Sequence, residues 1–160
     1  MTQSQPCENE GPDVAVRSWD DGASVPPDQL KVLIVDDDEM MHRLVRSALA
    51  GFGFTQIESV ENGAAGIAAV EREAPDIIIS DYHMPEMDGL DFVEAVRGDE
   101  ARDHTVIIML SAHDDRNVID GARDLGADTF MVKPFHRDDL KQLIDTLYHR
   151  FNCARIAWPK

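Results

Sequence analysis

The sequence predicts an α/β protein: a doubly wound sheet of five parallel strands with helices on both faces. Two observations carry this. Five short apolar runs alternate with five helical patterns along residues 30–151, and strict β-α alternation implies crossover connections and hence a parallel sheet. Three of the runs are apolar nearly throughout, as strands covered on both faces should be. At 160 residues the chain suits one compact domain with short extensions.

The elements follow in order. The first run is "KVLIV" (31–35). A helix follows, with Met41, Leu44, Val45, Ala48 and Leu49 on one face, and Gly51 as its expected stop. The second run is "QIESV" (56–60), and an Ala-rich helix spans 63–73. The third run is "DIIIS" (76–80), followed by a helix for which Asp88 is the expected N-cap. The fourth run is "TVIIML" (105–110), with a helix carrying Val118, Ile119, Ala122 and Leu125 before Gly126. The fifth is "DTFMV" (128–132), and the last helix places Leu140, Leu143, Ile144, Leu147, Tyr148 and Phe151 on one face.

Outside this pattern, residues 1–28 read as a disordered acidic tail. They hold six acidic residues, one basic (Arg17), four prolines and no apolar period. Trp19 is an isolated aromatic there. The domain is expected over 29–151, with a short tail at 152–160, too short for a further output domain. Ile156 and Trp158 are expected to pack back on the domain, with binding of a partner as the alternative.

Composition excludes several classes. The chain has 31 acidic and 15 basic residues, a net charge of −16. Phosphate backbones and anionic lipids need clustered Lys and Arg, so neither nucleic acid nor a membrane surface is an expected partner. No apolar run approaches the ~20 residues that span a bilayer, and no secretory signal is visible. Cys7 and Cys153 make neither a disulfide framework nor a zinc spacing. The simplest location is the cytoplasm.

In a parallel sheet the residues just past each strand gather at one edge, where ligands bind. Here they are Asp36-Asp37-Asp38, Glu61-Asn62, Asp81, Ser111 and Lys133-Pro134. If the first and third strands are neighbours, their backbones lie ~4.8 Å apart. Two carboxylates at ~4 to 5 Å repel by roughly 3 to 4 kcal/mol at an effective dielectric of 20. Asn or Ser would avoid that cost, so retained carboxylates imply an offsetting cation. An all-oxygen donor set favours a hard ion, Mg²⁺ above others. Lys133 can pair with a phosphoryl oxygen and Ser111 can donate to another. Asp81, among them, can act as a nucleophile and form an aspartyl phosphate. Asp38 and Glu39 are expected only to begin a helix.

At these positions the sequence resembles a response-regulator receiver domain of two-component signalling, similar to the stand-alone CheY-like chemotaxis receivers. The resemblance covers about residues 30–150. It rests on "VLIVDDD", "IIISDYHMPEMDG", "IIMLSAH" and "FMVKPF", in order and at the family's spacing. It implies a flavodoxin-like (βα)5 fold with strand order 2-1-3-4-5. It also implies roles. Asp36, Asp37, Asp81 and the backbone carbonyl of His83 would hold Mg²⁺. Asp81 would take a phosphoryl group from the phosphohistidine of a sensor histidine kinase or a histidine phosphotransfer protein. Ser111 and Lys133 would bind that group, with a cis bond between Lys133 and Pro134. Phe130 stands where many members have Tyr, and would turn inward as Ser111 moves. The readout would be the surface of the fourth helix, fifth strand and fifth helix, used by an unknown downstream protein or in a phosphate relay. Such a protein is a signalling phosphoacceptor rather than an enzyme.

His83 and His113 lie two residues after Asp81 and Ser111. Either these positions vary freely or the two imidazoles tune attack by water on the aspartyl phosphate. Two other functions stay open. Asp36-x-Asp38 also resembles the nucleophile motif of haloacid-dehalogenase-like phosphatases, although Met40 stands where that family usually has Thr or Val. A non-phosphorylated pseudo-receiver that only binds partners is the other.

Overall fold

The structure, a computed structural model, describes residues 24–84, 86–111, 124, 128–152 and 154–160. The expectations for Cys7, Trp19, Pro85, the helix around 118–126, His113 and Cys153 fall outside the described residues.

The elements are β1 (Ser24–Val25), β2 (Lys31–Val35), α1 (Glu39–Gly51), β3 (Gln56–Val60), α2 (Gly63–Arg72), β4 (Ile77–Asp81), α3 (Gly89–Arg97), β5 (Val106–Ser111), β6 (Thr129–Val132), α4 (Arg137–Asn152) and β7 (Arg155–Ile156). The central sheet has the order β3-β2-β4-β5-β6, and every pair in it is parallel. Counted from residue 31, this is the expected order 2-1-3-4-5.

Alternate residues of the inner strands feed two separate cores, because successive side chains point to opposite faces of a sheet. Val32, Ile34, Ile77, Ile79, Val106 and Ile108 pack with Val45 and Leu49 of α1 and with Leu140, Ile144 and Leu147 of α4. Leu33, Val35, Ile78, Ile107 and Met109 pack with Ala69 and Val70 of α2 and with Phe92, Val93 and Val96 of α3. Two cores explain why the inner strands are apolar without alternation. The edge strand β3 keeps Gln56 and Glu58 exposed.

Polar residues start the helices. Asp38, Asn62 and Asp88 accept from the backbone N–H groups of Met40, Ala65 and Asp91, satisfying donors that a first turn leaves orphaned.

Two boundaries differ from expectation. α1 runs through Gly51 rather than stopping before it. The left-handed residue is Gly53, at φ 103°, which follows the C-cap Phe52. At the N-terminal end, residues 24–28, expected in the tail, take part in defined elements. β1 pairs in parallel with β7, matching Ser24 to Arg155 and Val25 to Ile156, and Pro27–Gln29 form a 3-10 turn. A two-residue strand carries no periodicity for the sequence to display. Ile156 is buried, and Trp158 lies edge-on to Phe52 and Phe54 at ring-centroid distances of 6.1 and 5.9 Å.

Candidate functional site

The acidic run after β2 divides by direction. The Asp36 N–H donates to the Val60 carbonyl, which prolongs the pairing with β3 by one residue. The Asp36 carboxylate turns inward, 2% exposed, and Oδ1 accepts from the Asp38 N–H at 2.8 Å. Asp37 is exposed. Asp38 caps α1 through Oδ1, which accepts from the Met40 N–H at 2.9 Å. Asp38 is therefore a helix starter, as its place in the sequence suggested.

Asp81 ends β4 and is 7% exposed, opposite Leu110 of β5. Ser111 closes β5, buried at 1%, and its carbonyl accepts from the Lys133 N–H at 2.7 Å. That bond sets Lys133 just past β6. Its ammonium Nζ lies 3.1 Å from Asp81 Oδ1 and 3.6 Å from Asp36 Oδ2. The Lys133-Pro134 bond is cis.

Carboxylate oxygens of Asp36, Asp37 and Asp81 lie within 4.8 Å of one another. Burial pushes the Asp36 carboxyl above its ordinary range. The Asp38 N–H opposes that, the Asp81 charge adds to it, Lys133 opposes it, and Asp37 adds a little more. One ammonium among three carboxylates leaves net negative charge in a partly dry site. The donors are all oxygen, and two are buried and prepositioned. This set fits a hard divalent cation such as Mg²⁺, with Asp36, Asp37 and Asp81 as its holders.

The loop after Asp81 is tightly built. The Gly89 N–H donates to the Tyr82 carbonyl at 2.9 Å. A Cβ on Gly89 would stand 2.6 Å from the Asp81 carbonyl oxygen and 2.3 Å from Met109 Cε. Only a residue without a side chain lets α3 press so closely on the strand that carries Asp81. Glu86, in the same loop, holds φ at 69°, uncommon for a residue with a side chain. His83 is exposed, its ring edge-on to Tyr82 at 4.7 Å.

Asp36, Asp37, Asp81 and Lys133 are thus brought together. Ser111 stands at the end of the adjacent strand, one position beyond the partner of Asp81. Phe130 is half-buried on β6 against the α2–α3 core, with its ring 6.3 Å from that of Tyr82. The Tyr82–Phe130 contact was not visible in the sequence. The only signal for it was an aromatic directly after Asp81.

The family model of the response regulator receiver domain matches residues 32–145. The chemotaxis protein CheY of Pseudomonas aeruginosa is 33% identical over 123 residues, covering 77% of this chain and 99% of that protein. A probable chemotaxis protein CheY of Rhizobium etli is 36% identical over 121 residues, covering 76% and 94%. Among solved structures, the chemotaxis protein CheY4 of Vibrio cholerae aligns with a TM-score of 0.69 at 31% identity, covering 74% of this chain and 98% of that one.

Proposed function

The chain belongs to the response regulator receiver domain family of two-component signalling, and from that membership we propose that Asp81 is its phosphoacceptor. The observation that carries the proposal is the buried Asp81 carboxylate, 3.1 Å from the Lys133 ammonium and grouped with Asp36 and Asp37.

In this reading an Asp81 oxygen attacks the phosphorus of a phosphohistidine on a sensor histidine kinase or a histidine phosphotransfer protein. An O–P bond forms and the N–P bond breaks. The imidazole leaves with the electron pair and takes a proton from solvent. Lys133 offsets charge on the moving phosphoryl oxygens, and the Ser111 hydroxyl donates to one of them. Asp36, Asp37, Asp81 and the His83 carbonyl would hold Mg²⁺, which would supply further charge neutralisation. Asp36 and Asp37 keep negative charge beside the nucleophile.

Ser111 moves toward the bound group, and Phe130 turns into the space released. The change is read on β6 and α4, together with the fourth helix that the sequence predicts, which lies outside the described residues. A groove between β6 and α4, lined by Phe130, Met131, Leu143 and Thr146, supports this. A downstream protein reads that surface, or the phosphoryl group passes onward. The net charge of −16 argues against nucleic acid as a direct partner. No described helix is long and apolar enough to cross a membrane.

The test is incubation of the full chain with Mg²⁺ and acetyl phosphate, followed by mapping of the modified residue. The expected product carries one phosphoryl group on Asp81, and Asp81→Asn takes none. Labelling of Asp36 with steady release from phosphate esters would establish the phosphatase reading instead. The capping role of Asp38 speaks against that outcome. A chain that is neither labelled nor stabilised by Mg²⁺ would be a pseudo-receiver.

A further inference from the structure

We propose that Tyr82 is a positioning residue: a fixed abutment against which the Phe130 ring moves when Asp81 is phosphorylated. This rests on the receiver reading above and adds a residue to it.

The backbone of Tyr82 is pinned from two sides. Its N–H donates to the Leu110 carbonyl at 2.9 Å, and its own carbonyl accepts from the Gly89 N–H at 2.9 Å. One bond ties it to the strand that ends in Ser111, the other to the start of α3. Asp81 precedes it directly. Its ring therefore has a stationary root beside the reacting carboxylate. That ring meets Phe130 at 6.3 Å with the planes tilted by 57°, and both rings pack against the core of Val35, Phe92 and Met109. It also meets His83 edge-on at 4.7 Å. His83, Tyr82 and Phe130 thus form a chain of ring contacts from the loop after Asp81 to β6.

Phe130 has no hydroxyl, so no hydrogen bond can hold it in either orientation. Its balance is set by what its ring touches. An aromatic contact of this geometry shifts a two-state balance by about 2- to 12-fold. Tyr82 is the aromatic partner that Phe130 has among the described residues. A tyrosine that merely filled the core would affect stability and leave the Phe130 response untouched.

The experiment places 4-fluorophenylalanine at position 130 of the full chain. The fluorine spectrum is recorded with Mg²⁺ alone and with Mg²⁺ plus beryllofluoride, which stands in for the phosphoryl group. The unaltered chain should show a clear displacement of the resonance. Tyr82→Leu keeps apolar bulk and removes the ring. It should shift the resting resonance toward the activated position and shrink the response at least about 2-fold. Labelling of Asp81 by acetyl phosphate should stay within about 2-fold. Tyr82→Phe should restore the full response. A full response in Tyr82→Leu would overturn the role of Tyr82 and leave the switch reading standing. A Tyr82→Phe variant that behaves like Tyr82→Leu would overturn the ring-contact account. No response in the unaltered chain, with Asp81 labelled normally, would overturn both the Phe130 switch and this proposal.

Discussion

Lys133 and Asp81 meet at 3.1 Å across the carboxyl edge of the sheet, and the same ammonium stands 3.6 Å from Asp36. One cation thus screens two largely buried carboxylates. Lys133→Met removes it and leaves like charges facing each other. The chain should lose about 2 kcal/mol in the presence of a chelator, less than for a fully buried pair because the Lys133 side chain is 20% exposed. Mg²⁺ should return much of that loss, as a ligand that binds only the folded chain. Urea denaturation of both forms, with chelator and with Mg²⁺, measures this. Equal stability in chelator would sink the shared-counterion account.

The close approach at Gly89 makes a second expectation. In Gly89→Ala the new methyl meets the Asp81 carbonyl oxygen, which is backbone and cannot swing aside. A loss of about 2 to 3 kcal/mol is expected, in the range of overpacked sites. Gly98→Ala is the control: its Cβ would stand 3.4 Å from the Ala95 carbonyl oxygen, with helical backbone angles. It should be close to neutral. Denaturation midpoints of the two variants would decide it, and equal effects would contradict the structure.

Asp128 sets a pH dependence away from the site. It accepts from the Ile107 N–H at 2.7 Å and pairs with Arg97 at 3.0 Å. Burial nevertheless pushes its carboxyl from 3.8 up to about 6, with the Arg97 charge opposing. Between about pH 4 and 6 the folded chain keeps a proton that the unfolded chain has lost. The contribution is therefore fully present below pH 4 and is lost as pH rises through 6. It amounts to about 3 kcal/mol at 1.36 kcal/mol per unit. The stability of the unaltered chain relative to Asp128→Asn should fall across that window, as read from urea midpoints between pH 4 and 7.5. A difference that stays flat with pH would exclude it.

Trp158 tests the C-terminal segment. Its ring touches Phe52 and Phe54, carries the Lys141 ammonium at 4.9 Å, and its Nε1 donates to Asp145 Oδ1 at 3.1 Å. Trp158→Ala should cost about 2 to 3 kcal/mol, below the figure for a fully buried tryptophan. Trp158→Phe keeps most ring contacts and should cost about 1 kcal/mol for the lost hydrogen bond. Guanidinium denaturation would reveal whether the segment is integral or merely adjacent.

The features that were legible in the sequence share one cause. Inner strands buried on two faces are written as consecutive apolar residues, so Ile77-Ile78-Ile79 and Val106-Ile107-Ile108 stand out. Parallel direction then turns each strand's end into a site position, which groups Asp36, Asp81, Ser111 and Lys133. What escaped depends on distance or brevity. β1 and β7 are two residues each and gain meaning only through their pairing. The contact between Tyr82 and Phe130 joins the loop after β4 to β6, which no periodicity links. Gly51 looked like the stop of α1 because glycine ends helices, yet the left-handed turn fell to Gly53.

The β1–β7 pair also has a mechanical consequence. Its strands run parallel, with β1 at the start of the described chain and β7 near its end. A pull on residue 24 in one direction and on residue 156 in the other slides the strands past each other. It does not peel them apart. The Ala157 N–H bond to the Val25 carbonyl, the buried Ile156 and the Trp158 anchor then bear load together. Tension transmitted along the chain therefore meets a shear clasp before it reaches the sheet that holds Asp81.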